Sequence, residues 1–145
     1  MPPPPSSMQT IHITLTDAEF NALNASHPVS KKNADIGARA VEVVRLHAKK
    51  SQWTENQTKR PGVDLAFTDS QRQTIEMEVK GTAESGIQWG KLGVSGKPCF
   101  DNLTKGMPLY RVSSVYDKNP TLYVLKCGVD FTMDPEPRWK IKQKK

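Results

Sequence analysis

The chain reads as an α/β domain, a central mixed β-sheet flanked by helices. Three observations predict it. First, Val63-Asp64-Leu65-Ala66-Phe67 and Thr74-Ile75-Glu76-Met77-Glu78-Val79-Lys80 both alternate with period two, and a polar stretch, Thr68–Gln73, joins them as in a hairpin. Second, Thr16–Ser26 and Ile36–Lys49 carry helical signals. Third, residues 109–116 and 121–127 are β-prone runs separated by the turn Asp117-Lys118-Asn119-Pro120.

Taken in order, residues 1–8 form a Pro-rich tail, expected to be disordered. Ile11, Ile13 and Leu15 alternate with polar neighbours, as in a strand. Thr16 and Glu19 have capping-box spacing for a short helix carrying Phe20 and Leu23, which ends near Pro28. Asn33 or Asp35 is the expected cap of the second helix, whose apolar stripe is Ile36, Ala40, Val43, Val44 and His47. Ser51–Pro61 is polar and reads as a loop; its Trp53 is a candidate for base stacking or for packing beneath the loop. Residues 81–96 carry five glycines and little periodicity, so a loop is expected directly after Lys80. Pro98–Gly106 suits a short helix or turn with Phe100 and Leu103 inward. Residues 9–134 are expected to form one domain and 135–145 a basic tail, with an edge strand possible over 139–142.

At 145 residues the chain suffices for one core. No apolar run approaches the ~20 residues of a membrane span. The N-terminus lacks the basic flank and apolar centre of a secretion signal, so a cytoplasmic location is expected. Cys99 and Cys127 have no C-x-x-C partner, and His12, His27 and His47 make no zinc spacing with them. Buried or half-buried, reduced thiols are expected. Gly90–Lys97 is not a phosphate loop: Lys91 stands where the first glycine belongs, and Pro98 replaces the Ser or Thr. The net charge is +6, and Lys31, Lys32, Lys49, Lys50, Lys59 and Arg60 precede the acidic strands. A second basic cluster, Arg138, Lys140, Lys142, Lys144 and Lys145, ends the chain. A polyanionic partner fits this distribution.

Alternation carries the functional reading. If Val63, Leu65 and Phe67 face the same core as Ile75, Met77 and Val79, then Asp64, Glu78 and Lys80 meet on the other side of the sheet. Two carboxylates held together favour a shared proton or a divalent cation. Oxygen donors suit Mg2+ or Mn2+, and a neighbouring lysine suits an activated water or phosphate charge.

Asp64 followed by Glu78-Val79-Lys80-Gly81-Thr82 resembles the PD-(D/E)XK nuclease superfamily, specifically restriction-endonuclease-like domains with an EVKGT motif. Asp64 follows Val63 where that family usually has proline. The resemblance spans roughly residues 36–126, with its weight on 62–82. It implies a restriction-endonuclease-like fold and a metal-dependent endonuclease that hydrolyses DNA. Asp64, Glu78 and the Val79 carbonyl would hold Mg2+ or Mn2+, Lys80 would position the attacking water, and Glu42 on the preceding helix would assist. Glu42 has an alternative reading as a salt-bridged surface residue. Lys59, Arg60, Gln88, Lys91 and Lys97 are candidate nucleic-acid contacts. The implied partners are DNA and a second copy of the chain, or a larger nucleic-acid-processing complex. A catalytically inactive nucleic-acid-binding module and a protein-interaction module on the same fold are the alternatives.

Overall fold

A computed structural model describes residues 8–135 and 141–144. In chain order the strands are β1 (Gln9–His12), β2 (Thr54–Glu55), β3 (Leu65–Thr68), β4 (Thr74–Gly81), β5 (Leu109–Ser113) and β6 (Thr121–Leu125). The helices are α1 (Asp17–Ser26), α2 (Asn33–Lys50) and α3 (Lys97–Thr104), with a 3-10 turn at Trp89–Lys91. The strands form one six-stranded mixed sheet in the order β1-β6-β5-β4-β3-β2. Only β4 and β5 pair in parallel. Both expected hairpins, β3–β4 and β5–β6, are present. The α3 crossover between β4 and β5 joins them, as a parallel pair requires.

Burial explains this arrangement. Leu65, Phe67, Met77, Val79, Tyr110 and Val112 pack with Leu23 of α1 and with Ala40, Val43, Val44 and Ala48 of α2. Val63, Ala66, Leu109 and Leu125 pack with Cys99 and Leu103 of α3 in a second cluster. Both sheet faces are therefore covered, and every residue of β5 is buried, as expected of a strand at the parallel centre.

The Thr16–Glu19 capping box forms: Glu19 N–H donates to Thr16 Oγ1 at 3.1 Å, and Thr16 N–H to Glu19 Oε1 at 2.9 Å. Helix α2 begins earlier than its stripe suggests. Its N-cap is Lys32, with no side-chain cap, so neither Asn33 nor Asp35 caps it. Asp35 instead accepts from Ser30 Oγ.

Four further expectations are corrected. Val63 does not share a face with Leu65 and Phe67. It sits before the strand, after the left-handed Gly62 (φ +78°), and packs in the α3 cluster. Phe100 faces outward and is 44% exposed, because Cys99, Asn102 and Leu103 form the inner side of α3. The 51–61 loop contains β2; of the two readings of its Trp53, packing beneath the loop is the one observed, edge-on to His47 and tilted against Phe67. Met8, assigned to the tail, packs against the second cluster. The rest of the N-terminal tail, Arg138, Lys140, Lys145 and the first half of the 139–142 segment lie outside the described residues; Ile141 and Lys142 are not in a strand. Among the described residues no helix is long and apolar enough to cross a membrane.

Candidate functional site

The antiparallel register of β3 and β4 builds the site. The ladder ends where Leu65 pairs with Met77, and Asp64, the residue before β3, brings its carboxyl beside that of Glu78. Asp64 is fixed twice: its N–H donates to the Met77 carbonyl at 3.0 Å, and its Oδ2 accepts from Val79 N–H at 2.8 Å. The side chain thus takes the place of a main-chain partner where β4 outruns β3. The Val79 carbonyl leaves β4 on the same edge as its N–H, beside Asp64, because both groups of a residue in an extended strand face one neighbour. Lys59 Nζ donates to the Asp64 carbonyl at 2.7 Å and closes the turn from the outside.

Glu78 is 8% exposed. Its N–H donates to the Pro108 carbonyl at 3.2 Å, leading into β5. Lys80 Nζ lies 3.5 Å from Glu78 Oε1. Burial, and then the charge of Asp64, push the Glu78 carboxyl above the usual carboxylate range. A hydrogen bond from the Cys99 thiol and the charge of Lys80 oppose that shift. In turn, burial and Glu78 push the Cys99 thiol up to about 12, so it is a neutral donor at pH 7 and no nucleophile.

Cys99 reaches the site because α3 is latched to the turn before Asp64. Asn102 Nδ2 donates to the Pro61 carbonyl at 2.9 Å. A Cβ on Gly62 would stand 2.5 Å from the Cys99 nitrogen. No spacing in the sequence announces this contact, which exists only once the crossover has folded back.

The structure brings Asp64, Glu78, Val79 and Lys80 together. Glu42 is placed elsewhere: it pairs with Arg45, which also bonds Glu55 of β2. Arg60 forks onto Glu76 at 2.7 and 2.9 Å. Gln88 Nε2 donates to the Ser85 carbonyl. Lys91 pairs with Glu84, and Lys97 with Asp101. Among the described residues no group of three or more His, Cys, Asp and Glu gathers as a metal cage; two carboxylates and a carbonyl match the sparse protein ligation that magnesium accepts.

Two cavities flank Lys80, which lines both. One, of about 610 Å³, has an aromatic and apolar wall of Trp89, Leu92, Phe100, Phe131 and Met133. Trp89 is 47% exposed. The other, of about 800 Å³, opens toward the start of α2. No family model, curated protein or solved structure matches the chain.

Proposed function

We propose that the chain is a metal-dependent endonuclease hydrolysing DNA phosphodiester bonds on a restriction-endonuclease-like core. One observation carries this reading: the carboxyls of Asp64 and Glu78 meet where the β3–β4 ladder ends, with Glu78 buried and Lys80 against it. Two acids so placed strain against each other, and a divalent cation relieves that strain. Asp64, Glu78 and the Val79 carbonyl fit Mg2+ or Mn2+ by donor type. Bound there, the ion would lower the pKa of a water and stabilise charge gathering on phosphorus. Lys80 would orient the attacking water and balance phosphate charge, while Asp64 stays fixed by Val79 N–H. The aromatic wall beside Lys80 suits stacking of a base next to the cleaved phosphate. Glu42 drops out of the proposed machinery because Arg45 holds it. A homodimer or a larger nucleic-acid-processing assembly would supply the second centre that double-strand cutting needs.

The test is supercoiled plasmid with Mg2+ or Mn2+, beside Glu78→Ala and Lys80→Ala. Cleavage by the parent that both variants lose is the expected result; cleavage that survives in both would remove this chemistry. A second reading is a catalytically inactive nucleic-acid-binding or protein-interaction module on the same fold: the pairing of Glu42 with Arg45 favours lost catalysis, and the pairing of Arg60, Lys91 and Lys97 with carboxylates favours the protein-interaction form. It predicts salt-dependent DNA binding, or a stable protein complex, with no metal dependence and no cleavage.

A further inference from the structure

The second cavity has features the hydrolytic centre does not use. Arg111 of β5 is the parallel-ladder partner of Lys80 and is 2% exposed. Its Nε donates to the Ile87 carbonyl at 2.8 Å and its Nη1 to the Gly81 carbonyl at 3.1 Å. Its Nη2 has no hydrogen-bond partner among the described residues. A buried guanidinium donor left over in this way is costly unless something else meets it. Arg111 lines the cavity together with Lys31, Lys80, Lys91 and the start of α2, against a single carboxylate, Glu84, which Lys91 already holds. The first turn of α2 has no side-chain cap; the N–H groups of Asp35 and Ile36 donate to the Lys32 carbonyl and the Asp35 carboxylate offsets part of the dipole, which leaves the first N–H groups, at Asn33, as donors.

We propose that this cavity is a phosphate subsite in which Arg111 is the buried anchor, Lys31 and Lys91 are the rim, and the uncapped turn of α2 supplies backbone donors. With Nε and Nη1 held by the two carbonyls, Nη2 is the guanidinium's spare donor, lying beneath the cavity surface. Because Nη2 is covered, the 82–93 loop must yield slightly as the ligand enters. Planar, fixed arginine donors match phosphate oxygens better than a mobile ammonium does. Resting on the nuclease reading, the occupant is a phosphate of the substrate strand adjoining the one held at Lys80. The same chemistry would take a terminal phosphate or a free one.

The experiment separates these sources and separates this inference from the nuclease reading. Binding is measured in EDTA, on the Glu78→Gln protein, with three probes: a 5′-hydroxyl oligonucleotide, its 5′-phosphorylated counterpart and inorganic phosphate. Arg111→Gln and Lys31→Gln are compared with Lys118→Gln, whose side chain does not line the cavity and pairs with Asp17. The expected result is that Arg111→Gln weakens oligonucleotide binding by about tenfold or more, Lys31→Gln by a smaller factor, and Lys118→Gln not at all. Preference for the 5′-phosphorylated probe assigns the site to a strand end, equal binding of both oligonucleotides to an internal phosphate, and competition by millimolar inorganic phosphate alone to a free anion. Should Arg111→Gln melt early, Lys31→Gln, on the surface, decides. Unchanged affinity in the folded variants overturns the subsite even if the plasmid is cut. Arg111-dependent binding without any cleavage keeps the subsite and removes the nuclease.

Discussion

At the scale of single residues, Glu78 is where the proposed metal binding and stability oppose each other. Its carboxyl holds a proton more tightly in the folded chain than in the unfolded one. Stability from this group is therefore complete below the ordinary glutamate range and is lost as pH rises through the raised folded value. Glu78→Gln removes that loss. At pH 8 and without metal, the variant should melt a few degrees above the parent, on the order of 1 kcal/mol, and the gap should close at pH 4. A variant less stable than the parent at pH 8 would contradict the strained-acid account. Divalent ions should stabilise the parent and not the variant, because binding requires the anion. Cys99→Ala tests the neighbour. The thiol hydrogen bond holds the Glu78 carboxyl down, so its removal moves that carboxyl further up. The pH at which Mg2+ begins to stabilise the protein should rise in Cys99→Ala, with the unfolding slope in urea unchanged; an unmoved onset would show that the thiol only fills space.

At the scale of elements, Gly81 shows why glycine follows the motif lysine. A Cβ there would lie 2.6 Å from the Ala40 Cβ and 3.1 Å from the Ile36 carbonyl, so α2 crosses the end of β4 at backbone contact. Gly81→Ala should cost about 1–3 kcal/mol by overpacking. Ala40→Gly alone should cost about 1 kcal/mol in helix propensity. Combined, the two should cost less than their sum, because the second makes room for the first; a strictly additive urea-melt cycle would show that α2 does not bear on Gly81. Elements that obey local rules were legible in the sequence: the capping box at Thr16, the stripe of α2, and both hairpins follow from spacing alone. The meeting of Asp64 and Glu78 was legible only in part: alternation puts Glu78 and Lys80 on one face of β4, but it stops at Leu65, and Asp64 is placed by the Gly62 turn and by the Val79 N–H. Features set by tertiary contact were not legible. Phe100 faces outward because α3 turns Cys99 and Leu103 toward the sheet. Glu42 is tied to Arg45, which β2, a strand of two residues, also engages through Glu55. Arg111 sits in an apolar β run whose purpose shows only when the 81–87 carbonyls fold over it.

At the scale of the molecule, the sheet divides the protein into a face that holds it together and a face that carries the candidate chemistry. Helices α1 and α2 cover the first; α3 and the 82–96 loop border the second. On the first face Arg39 is fully buried and ties three segments. Its Nε donates to the Val115 carbonyl, and its Nη1 to Asn24 Oδ1 and the His27 carbonyl, each at 2.9 Å. Its guanidinium carbon lies 4.9 Å from the Tyr116 ring centre. Burial pushes its pKa down, though not far enough to discharge an arginine. Arg39→Met keeps much of the volume but orphans these acceptors, and should cost on the order of 3 kcal/mol. If the two faces are independent, that loss leaves the Glu78 side untouched. Arg39→Met and Glu78→Gln should then add within about 0.5 kcal/mol, and divalent-ion stabilisation of the Arg39→Met protein, measured below its melting range, should match the parent's. A coupling well beyond that margin would mean that the packing face sets the geometry of the acid pair through β4, whose alternate residues serve both sides.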